Sequence, residues 1–137
     1  MEIFVATDLS DSGRAATENA QQWASKLGAG LTLLHVVPDP VLAPAFTDDV
    51  AGDVAKARNE LEQIAAASPA DVTCRVDVRT AEDVAAEIVS ASKDADYVFV
   101  GTQGKSAFER LRLGSVATQV LRLSQVPVVC IPRPTAG

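Results

Sequence analysis

Short apolar stretches alternate with amphipathic stretches along the whole chain. Residues 2–7, 31–37, 72–78, 97–100 and 127–131 are rich in β-branched and other apolar residues, which predicts five strands. Between them, apolar residues recur every three or four positions, which predicts four helices. Strict alternation of largely apolar strands with helices is typical of a parallel sheet covered by helices on both faces. We therefore predict a doubly wound α/β fold.

Capping residues mark where three of the predicted helices begin. Residues 10–12 are good caps for the first helix, whose apolar face carries Trp23, and we expect that indole in the core. Thr80 with Asp83 resembles a capping box before the third helix, with Asp in the place of Glu. The fourth helix is predicted to start at Ser115.

Two features of the strands bear on what the sheet exposes. Strand three, 72–78, alternates polar and apolar residues, which predicts a half-exposed strand at a sheet edge. Cys74 and Cys130 each lie inside a predicted strand and lack the spacing of a metal site. We interpret both as small buried residues.

Length and charge narrow the classes of function. The 137 residues, 47% of them apolar, predict one globular domain spanning 1–137. A net charge of −6 disfavours nucleic acid and anionic membrane as partners. No apolar run reaches the length of about 20 residues that spans a bilayer. The first residues lack a basic region, so we expect no signal peptide and a cytoplasmic location.

Two glycine turns carry the strongest chemical signal. Gly101 and Gly104 follow the fourth predicted strand, and Gly114 with Ser115 opens the last helix after nine intervening residues. Glycine at a strand exit lets a backbone approach a ligand closely. The free N–H groups of a helix N-terminus suit an anion such as phosphate. Together these turns predict a phosphate cradle.

Known phosphate loops do not match this pattern. Gly104, Lys105 and Ser106 resemble the end of a Walker A loop, but the first glycine of that motif would fall on Phe99, inside the strand. The helix also begins about ten residues too late for that motif. A dinucleotide-binding motif, G-x-G-x-x-G, is also excluded. The glycines here have a different spacing, and they do not follow the first strand, as that motif requires.

The spacing G-x2-G-x9-G-S instead resembles the nucleotide motif of the universal stress protein family. Gly101, Gly104, Gly114 and Ser115 match the ATP-binding pattern of that family, and the likeness extends over segments 5–10, 33–37, 113–117 and 127–132. The resemblance implies a five-stranded parallel sheet in the order 3-2-1-4-5. It further implies a homodimer formed through the closing strand, 127–132, and ATP held between the exits of strands one and four.

Roles for individual residues follow from their chemistry at that crevice. Backbone N–H groups near Gly104, Ser115 and Val116 are expected to hold phosphate oxygens. A carboxylate beside a triphosphate needs an intervening cation, so Asp8 is expected to ligate Mg²⁺ or Mn²⁺, or to contact the ribose. The full set of expected nucleotide contacts is Ala6, Thr7, Asp8, Val36, Val100, Gly101, Gly104, Lys105, Gly114, Ser115 and Val116, in which Ala6, Val36 and Val100 form an apolar slot for adenine.

Several of these residues have simpler interpretations. Asp8 is a common turn residue and would serve equally to fix the start of the first helix. Gly114 with Ser115 would also serve as an ordinary helix cap, and Lys105 as part of a solvated loop. His35, the only histidine, is interpreted as a packed or hydrogen-bonded strand residue in preference to a catalytic one.

No set of residues in the sequence is equipped for fast hydrolysis, which favours a nucleotide-binding module with slow ATP hydrolysis or none. A dimeric interaction module without a ligand is the first alternative, because an apolar closing strand at a sheet edge needs cover. A phosphoacceptor receiver domain is the second. It requires an acidic pair after strand one, where Thr7 adjoins Asp8, and an acceptor after strand three, where Asp77 lies within the predicted strand.

Overall fold

The computed structural model describes residues 1–39, 50–102 and 114–132. These residues form a five-stranded sheet in the order β3-β2-β1-β4-β5, with every neighbouring pair parallel. The fold class and the strand order predicted above are confirmed. The elements in chain order are β1 (Glu2–Ala6), α1 (Asp11–Leu27), β2 (Gly30–Pro38), α2 (Val50–Ala66), β3 (Cys74–Ala81), α3 (Val84–Ala91), β4 (Tyr97–Gly101), α4 (Ser115–Leu123) and β5 (Val128–Ile131).

The sheet separates two hydrophobic cores. On one face, α1 and α2 cover side chains of the central strands, among them the fully buried Ile3, Leu33 and Phe99. On the other face, α3 and α4 cover Leu34 and Val98. Each strand therefore sends successive side chains into different cores, which explains why the apolar runs of β2 and β4 are continuous.

The ends of the helices follow from short polar side chains and one glycine. Ser10 caps α1, since its hydroxyl accepts a hydrogen bond from the Gly13 amide at 3.2 Å. Gly28 ends α1 in the left-handed region, at φ 63°. Asp83 caps α3 by accepting from the Ala86 amide at 3.1 Å. The predicted capping box is wrong, because Thr80 belongs to β3 and Asp83 acts alone.

The observed exposure of side chains confirms one prediction and corrects two. β3 is an edge strand with mostly half-buried residues, as its alternating pattern predicted. Cys74 and Cys130 are free thiols on the two edge strands, and both are half-buried and not enclosed in a core. Trp23 also differs from the expectation of a core residue, since it retains 38% of its surface exposed.

Within the described ranges, no helix combines the length and the apolar character needed to cross a membrane.

Candidate functional site

A cavity of about 150 Å³ opens at the carboxyl ends of β1, β2 and β4. β1 and β4 are neighbours in the sheet, yet the connection that leaves β1 runs to β2 on the other side. Strand order therefore reverses between β1 and β4, where open α/β sheets bind their ligands. The described residues lining the cavity are Ala6, Thr7, Asp8, Gly13, Leu34, His35, Val36, Val84, Ile88, Val100, Gly101, Gly114, Ser115, Val116 and Ala117.

The structure brings the predicted contacts of the two strand exits and of the last helix to this single cavity. From the set expected above, the lining includes Ala6, Thr7, Asp8, Val36, Val100, Gly101, Gly114, Ser115 and Val116. Gly104 and Lys105 lie outside the described residues. Gly101 and Gly114, thirteen positions apart in sequence, thus share one crevice.

Six further residues line the cavity that sequence reasoning did not assign to it. They are Gly13, Leu34, His35, Val84, Ile88 and Ala117. Val84 and Ile88 carry the period of a core-facing helix, and only the placement of α3 beside β2 puts them at the crevice. Gly13 had a usable signal, since a glycine in the first turn of a helix indicates a close approach by another segment.

The turn between β1 and α1 forms one wall of the cavity and is closely fixed. The Thr7 hydroxyl accepts from the Leu9 amide at 3.0 Å, and the Thr7 amide donates to the Leu34 carbonyl at 2.9 Å. Leu9 adopts φ 65°, which is unfavourable for a side chain with a Cβ. Such a conformation persists where its surroundings over-determine it.

Asp8 stabilises the same turn from its exposed position. Its Oδ1 accepts hydrogen bonds from the Ser10 amide at 2.9 Å and from the Ser10 hydroxyl. The alternative interpretation of Asp8 as a turn residue is therefore correct, and it leaves Oδ2 without a hydrogen bond among the described residues. A metal ligand role is compatible with that oxygen. No group of three or more His, Cys, Asp or Glu side chains in the described ranges surrounds a potential metal position.

At two positions of the cavity, close packing between protein segments requires a glycine. A Cβ on Gly101 would lie 2.4 Å from the Ser12 hydroxyl and 2.7 Å from the Ser12 carbonyl oxygen. A Cβ on Gly13 would lie 2.4 Å from the Thr7 hydroxyl. Gly101 thus allows α1 to approach β4, which is a packing reason for glycine at this position beside the ligand approach predicted from the sequence.

The N-terminus of α4 forms the opposite wall. Gly114 is the N-cap and provides no side-chain hydrogen bond. Ser115 and Val116 are exposed, and the first N–H groups of a helix have no intrahelical acceptor. The Gly114 amide donates to the Thr102 carbonyl, which ties this N-terminus to the exit of β4. The amides and the dipole at a helix N-terminus favour an anion at this wall.

At the rim of the crevice, the main-chain hydrogen bonds of the sheet continue for one residue beyond β1 and β4. The Thr7 amide bonds to Leu34 of β2, and the Thr102 amide bonds to the Ile131 carbonyl of β5 at 3.0 Å. Both residues follow the last assigned residue of their own strand. The two strand exits are consequently held by main-chain pairing.

The single histidine lies at this cavity, whereas the two cysteines lie on the edge strands. His35 lines the cavity, and its Nδ1 lies 2.6 Å from the Thr7 carbonyl oxygen. Burial raises the pKa of the Cys74 and Cys130 thiols, an effect that a hydrogen bond with Ser68 partly opposes at Cys74. Neither cysteine lines the cavity.

The strand order also weighs against a phosphoacceptor receiver. That fold has the order 2-1-3-4-5, which places the exit of its third strand beside that of the first. Here β2 separates β3 from β1. Asp77 lies within β3 and pairs with Arg79 at 3.0 Å.

Comparison with known proteins agrees with this architecture. The profile of the universal stress protein family matches residues 1–132. A universal stress protein of Mycolicibacterium smegmatis is 33% identical over 140 residues, covering 94% of this chain and 47% of that protein. YxiE, a universal stress protein of Bacillus subtilis, is 26% identical and is covered over 97% of its length. The chain thus spans about half of the first relative and nearly all of the second.

Solved structures show the same fold at low sequence identity. UspA of Lactobacillus plantarum superposes with a TM-score of 0.81 at 24% identity, covering 96% of this chain and 97% of its own. A universal stress protein of Archaeoglobus fulgidus in complex with dAMP gives 0.73 at 24% identity, with coverage of 96% and 97%. An Arabidopsis thaliana protein of the family with AMP bound gives 0.70 at 19% identity, with coverage of 98% and 93%. Fold, strand order and family profile agree, and the chain belongs to the universal stress protein family.

Proposed function

We propose that this chain binds an adenine nucleotide in the crevice between β1 and β4, with ATP as the expected ligand. The observation that carries the proposal is the meeting of an apolar cavity with the N-terminus of α4, whose N-cap, Gly114, makes no side-chain hydrogen bond. Ala6, Val36 and Val100 provide apolar walls, and the amides at the start of α4 lie at the rim. The solved relatives that hold dAMP or AMP support an adenine nucleotide as the ligand class.

The size of the cavity suggests which part of a nucleotide it holds. Pockets for complete small ligands typically measure about 300–1,000 Å³. The cavity, at about 150 Å³, suits a base and not a whole nucleotide. In the proposed arrangement adenine enters the apolar slot, and the phosphates lie outside it against Ser115 and Val116 of α4. Gly104 and Lys105 belong to the proposed phosphate contacts on sequence grounds.

Charge at the site supports a cation with the phosphates. Asp8 is the only charged side chain among the described residues that line the cavity. Its carboxylate would repel a phosphate unless a cation lies between them. Mg²⁺ commonly binds through one carboxylate together with substrate phosphates. Asp8 is therefore proposed as a ligand of Mg²⁺ or Mn²⁺ through the oxygen that the turn does not use.

The chemistry of the described lining favours binding over turnover. Hydrolysis would need a base placed to activate water, and the side chains here are apolar apart from Thr7, Asp8, His35 and Ser115. Asp8 and His35 both make hydrogen bonds to the β1–α1 turn. We propose slow hydrolysis at most, with the output made through a homodimer and partner proteins in the cytoplasm. The dimer would form through 127–132, where β5 is an edge strand.

The test is nucleotide binding by the protein and by one variant. Mass analysis of the denatured protein identifies any nucleotide retained on purification, and calorimetry with ATP and AMP gives affinities. The backbone of Gly114, at φ −62° and ψ 161°, is one that a residue with a side chain also adopts, and Gly114→Val adds bulk at the rim. We expect it to abolish binding. Gln125→Val, at an exposed position just after the C-terminal end of α4, is the control and should bind normally.

A second function is the dimeric interaction module without a ligand. The exposed edge of β5 favours it, because its four residues are all only half-buried. Sedimentation of the same two variants separates the cases. Loss of binding with an intact dimer supports the nucleotide site. No binding by the unmodified protein, together with a stable dimer, would favour the interaction module.

A further inference from the structure

One hydrogen bond joins the ends of β2 and β1 at the cavity. The Nδ1 of His35 lies 2.6 Å from the Thr7 carbonyl oxygen. Because a carbonyl oxygen only accepts, Nδ1 must carry the hydrogen and donate it. Neutral His35 therefore has its proton on Nδ1, and its Nε2 is an acceptor.

The residue that receives this bond is central to the turn. Thr7 is 5% exposed and uses its amide, carbonyl and hydroxyl in separate hydrogen bonds to Leu34, His35 and Leu9. The next residue, Asp8, is the proposed cation ligand. A shift of the Thr7 carbonyl would change the direction of the chain into Asp8, so the bond from His35 bears on where that carboxylate lies.

The turn also contains backbone strain that must be balanced. Leu9, with φ 65°, is the only residue other than glycine with positive φ in the described ranges. A left-handed residue with a side chain is held in place only by its surroundings. The Leu9 amide is bonded to the Thr7 hydroxyl, so the bond that fixes Thr7 also supports Leu9.

We infer that His35 is a positioning residue for the nucleotide site, acting through the Nδ1–H donor that fixes the Thr7 carbonyl. This inference rests on the proposed nucleotide binding. Its specific content is that the donor matters, and not the ring or its charge. An asparagine at position 35 places an N–H donor where Nδ1 stands, whereas leucine of similar size has none.

The first test is spectroscopic and uses the unmodified protein. His35 is the only histidine of the sequence, so a protein without a histidine tag gives imidazole ¹⁵N signals from this residue alone. At a pH where the ring is neutral, we expect a protonated Nδ1 and an unprotonated Nε2. The opposite tautomer would overturn the inference, whether or not any variant folds.

The second test compares His35→Asn with His35→Leu by calorimetry with ATP and AMP. We expect His35→Asn to bind within about twofold of the unmodified protein, and His35→Leu to bind about three- to tenfold more weakly, the range for one hydrogen bond. Amide hydrogen exchange at Leu9 and Ser10 should quicken in the leucine variant alone.

The outcomes separate the inference from the proposed function. No binding of ATP or AMP by the unmodified protein would overturn the proposed function. Equal binding by all three proteins, or equal loss in both variants, would leave nucleotide binding intact and overturn the positioning role of His35.

Discussion

The indole of Trp23 meets the ring of Phe99 edge-on, with centroids 5.1 Å apart and ring planes at 81°. It also contacts Tyr97, at 6.1 Å and 72°. Trp23 lies on α1, while both partners lie on β4. A side chain that is 38% exposed is thus held by two aromatic contacts, which joins the first helix to the centre of the sheet.

We expect Trp23→Leu to lower the free energy of unfolding by about 1–3 kcal/mol, because each edge-to-face ring pair contributes about 0.5–1.5 kcal/mol. Urea denaturation followed by circular dichroism measures the change. Trp23→Phe retains a ring and should lose clearly less. Equal losses in the two variants would show that buried area, and not ring geometry, makes the contribution.

Close packing between α1 and β4 predicts that a side chain at position 101 destabilises the fold. Gly101→Ala places a Cβ against the backbone of Ser12, which cannot move without shifting α1. We expect the free energy of unfolding to fall by about 1–3 kcal/mol, as for other overpacked sites.

The control for Gly101→Ala is a glycine that meets only a flexible side chain. In Gly30→Ala the new Cβ would lie 2.3 Å from the carboxylate of Glu2, which can rotate away. We expect a change within about 0.5 kcal/mol, since a mobile surface neighbour is readily displaced. A large loss at Gly30 and a small one at Gly101 would contradict this account of the packing.

The two roles of Asp8 can be separated by a pair of variants. Asp8→Asn keeps an acceptor for the Ser10 amide but removes the charge, whereas Asp8→Ala removes both. We expect the asparagine variant to unfold at nearly the same urea concentration as the unmodified protein, and the alanine variant to lose about 0.5–1.5 kcal/mol.

The same pair tests the proposed cation. ATP should bind the unmodified protein more tightly with Mg²⁺ than with EDTA, and Asp8→Asn should abolish that difference. Calorimetric titrations with and without the metal measure it. A Mg²⁺ effect that persists in Asp8→Asn would place the cation elsewhere.

The raised pKa of the two thiols predicts that the free energy of unfolding falls at alkaline pH. Burial raises the pKa of Cys74 and Cys130 in the folded protein above the ordinary thiol value of 9.0. Below that value both states keep the thiols protonated, so the stability contributed by the neutral thiols is fully present. It is lost as the pH rises through the folded pKa, because the unfolded chain ionises more readily.

We expect the free energy of unfolding to fall above pH 9.0 more steeply in the unmodified protein than in a Cys74→Ser, Cys130→Ser double variant. The difference between the two proteins removes the contribution of other groups that titrate there. Parallel pH profiles would contradict the raised pKa values.

The helices, the strands and the position of the crevice could be predicted from the sequence. The residues that reach the crevice through the packing of helices on the sheet could not. Continuous apolar strands predicted the covered parallel sheet, and the likeness of the glycine spacing to a known family supplied the strand order. The position of Val84 and Ile88 at the cavity depends on where α3 crosses β2, which no local pattern specifies.

Glycine and tryptophan illustrate the same limit. Gly101 signals a close approach, but only the structure identifies Ser12 as the neighbour. Trp23 has the helical spacing of a core residue, although α1 covers the central strands and leaves part of the indole exposed towards solvent. In both cases the residue type indicated a contact, while its partner came from a distant element.

The main-chain bonds from Thr7 to β2 and from Thr102 to β5 determine how this crevice tolerates mutation. The separation of the two strand exits follows from the interstrand distance of the sheet, which is nearly constant whatever the side chains. Substitutions in the lining can therefore change the polarity and the free space of the crevice while the two strand exits stay in register.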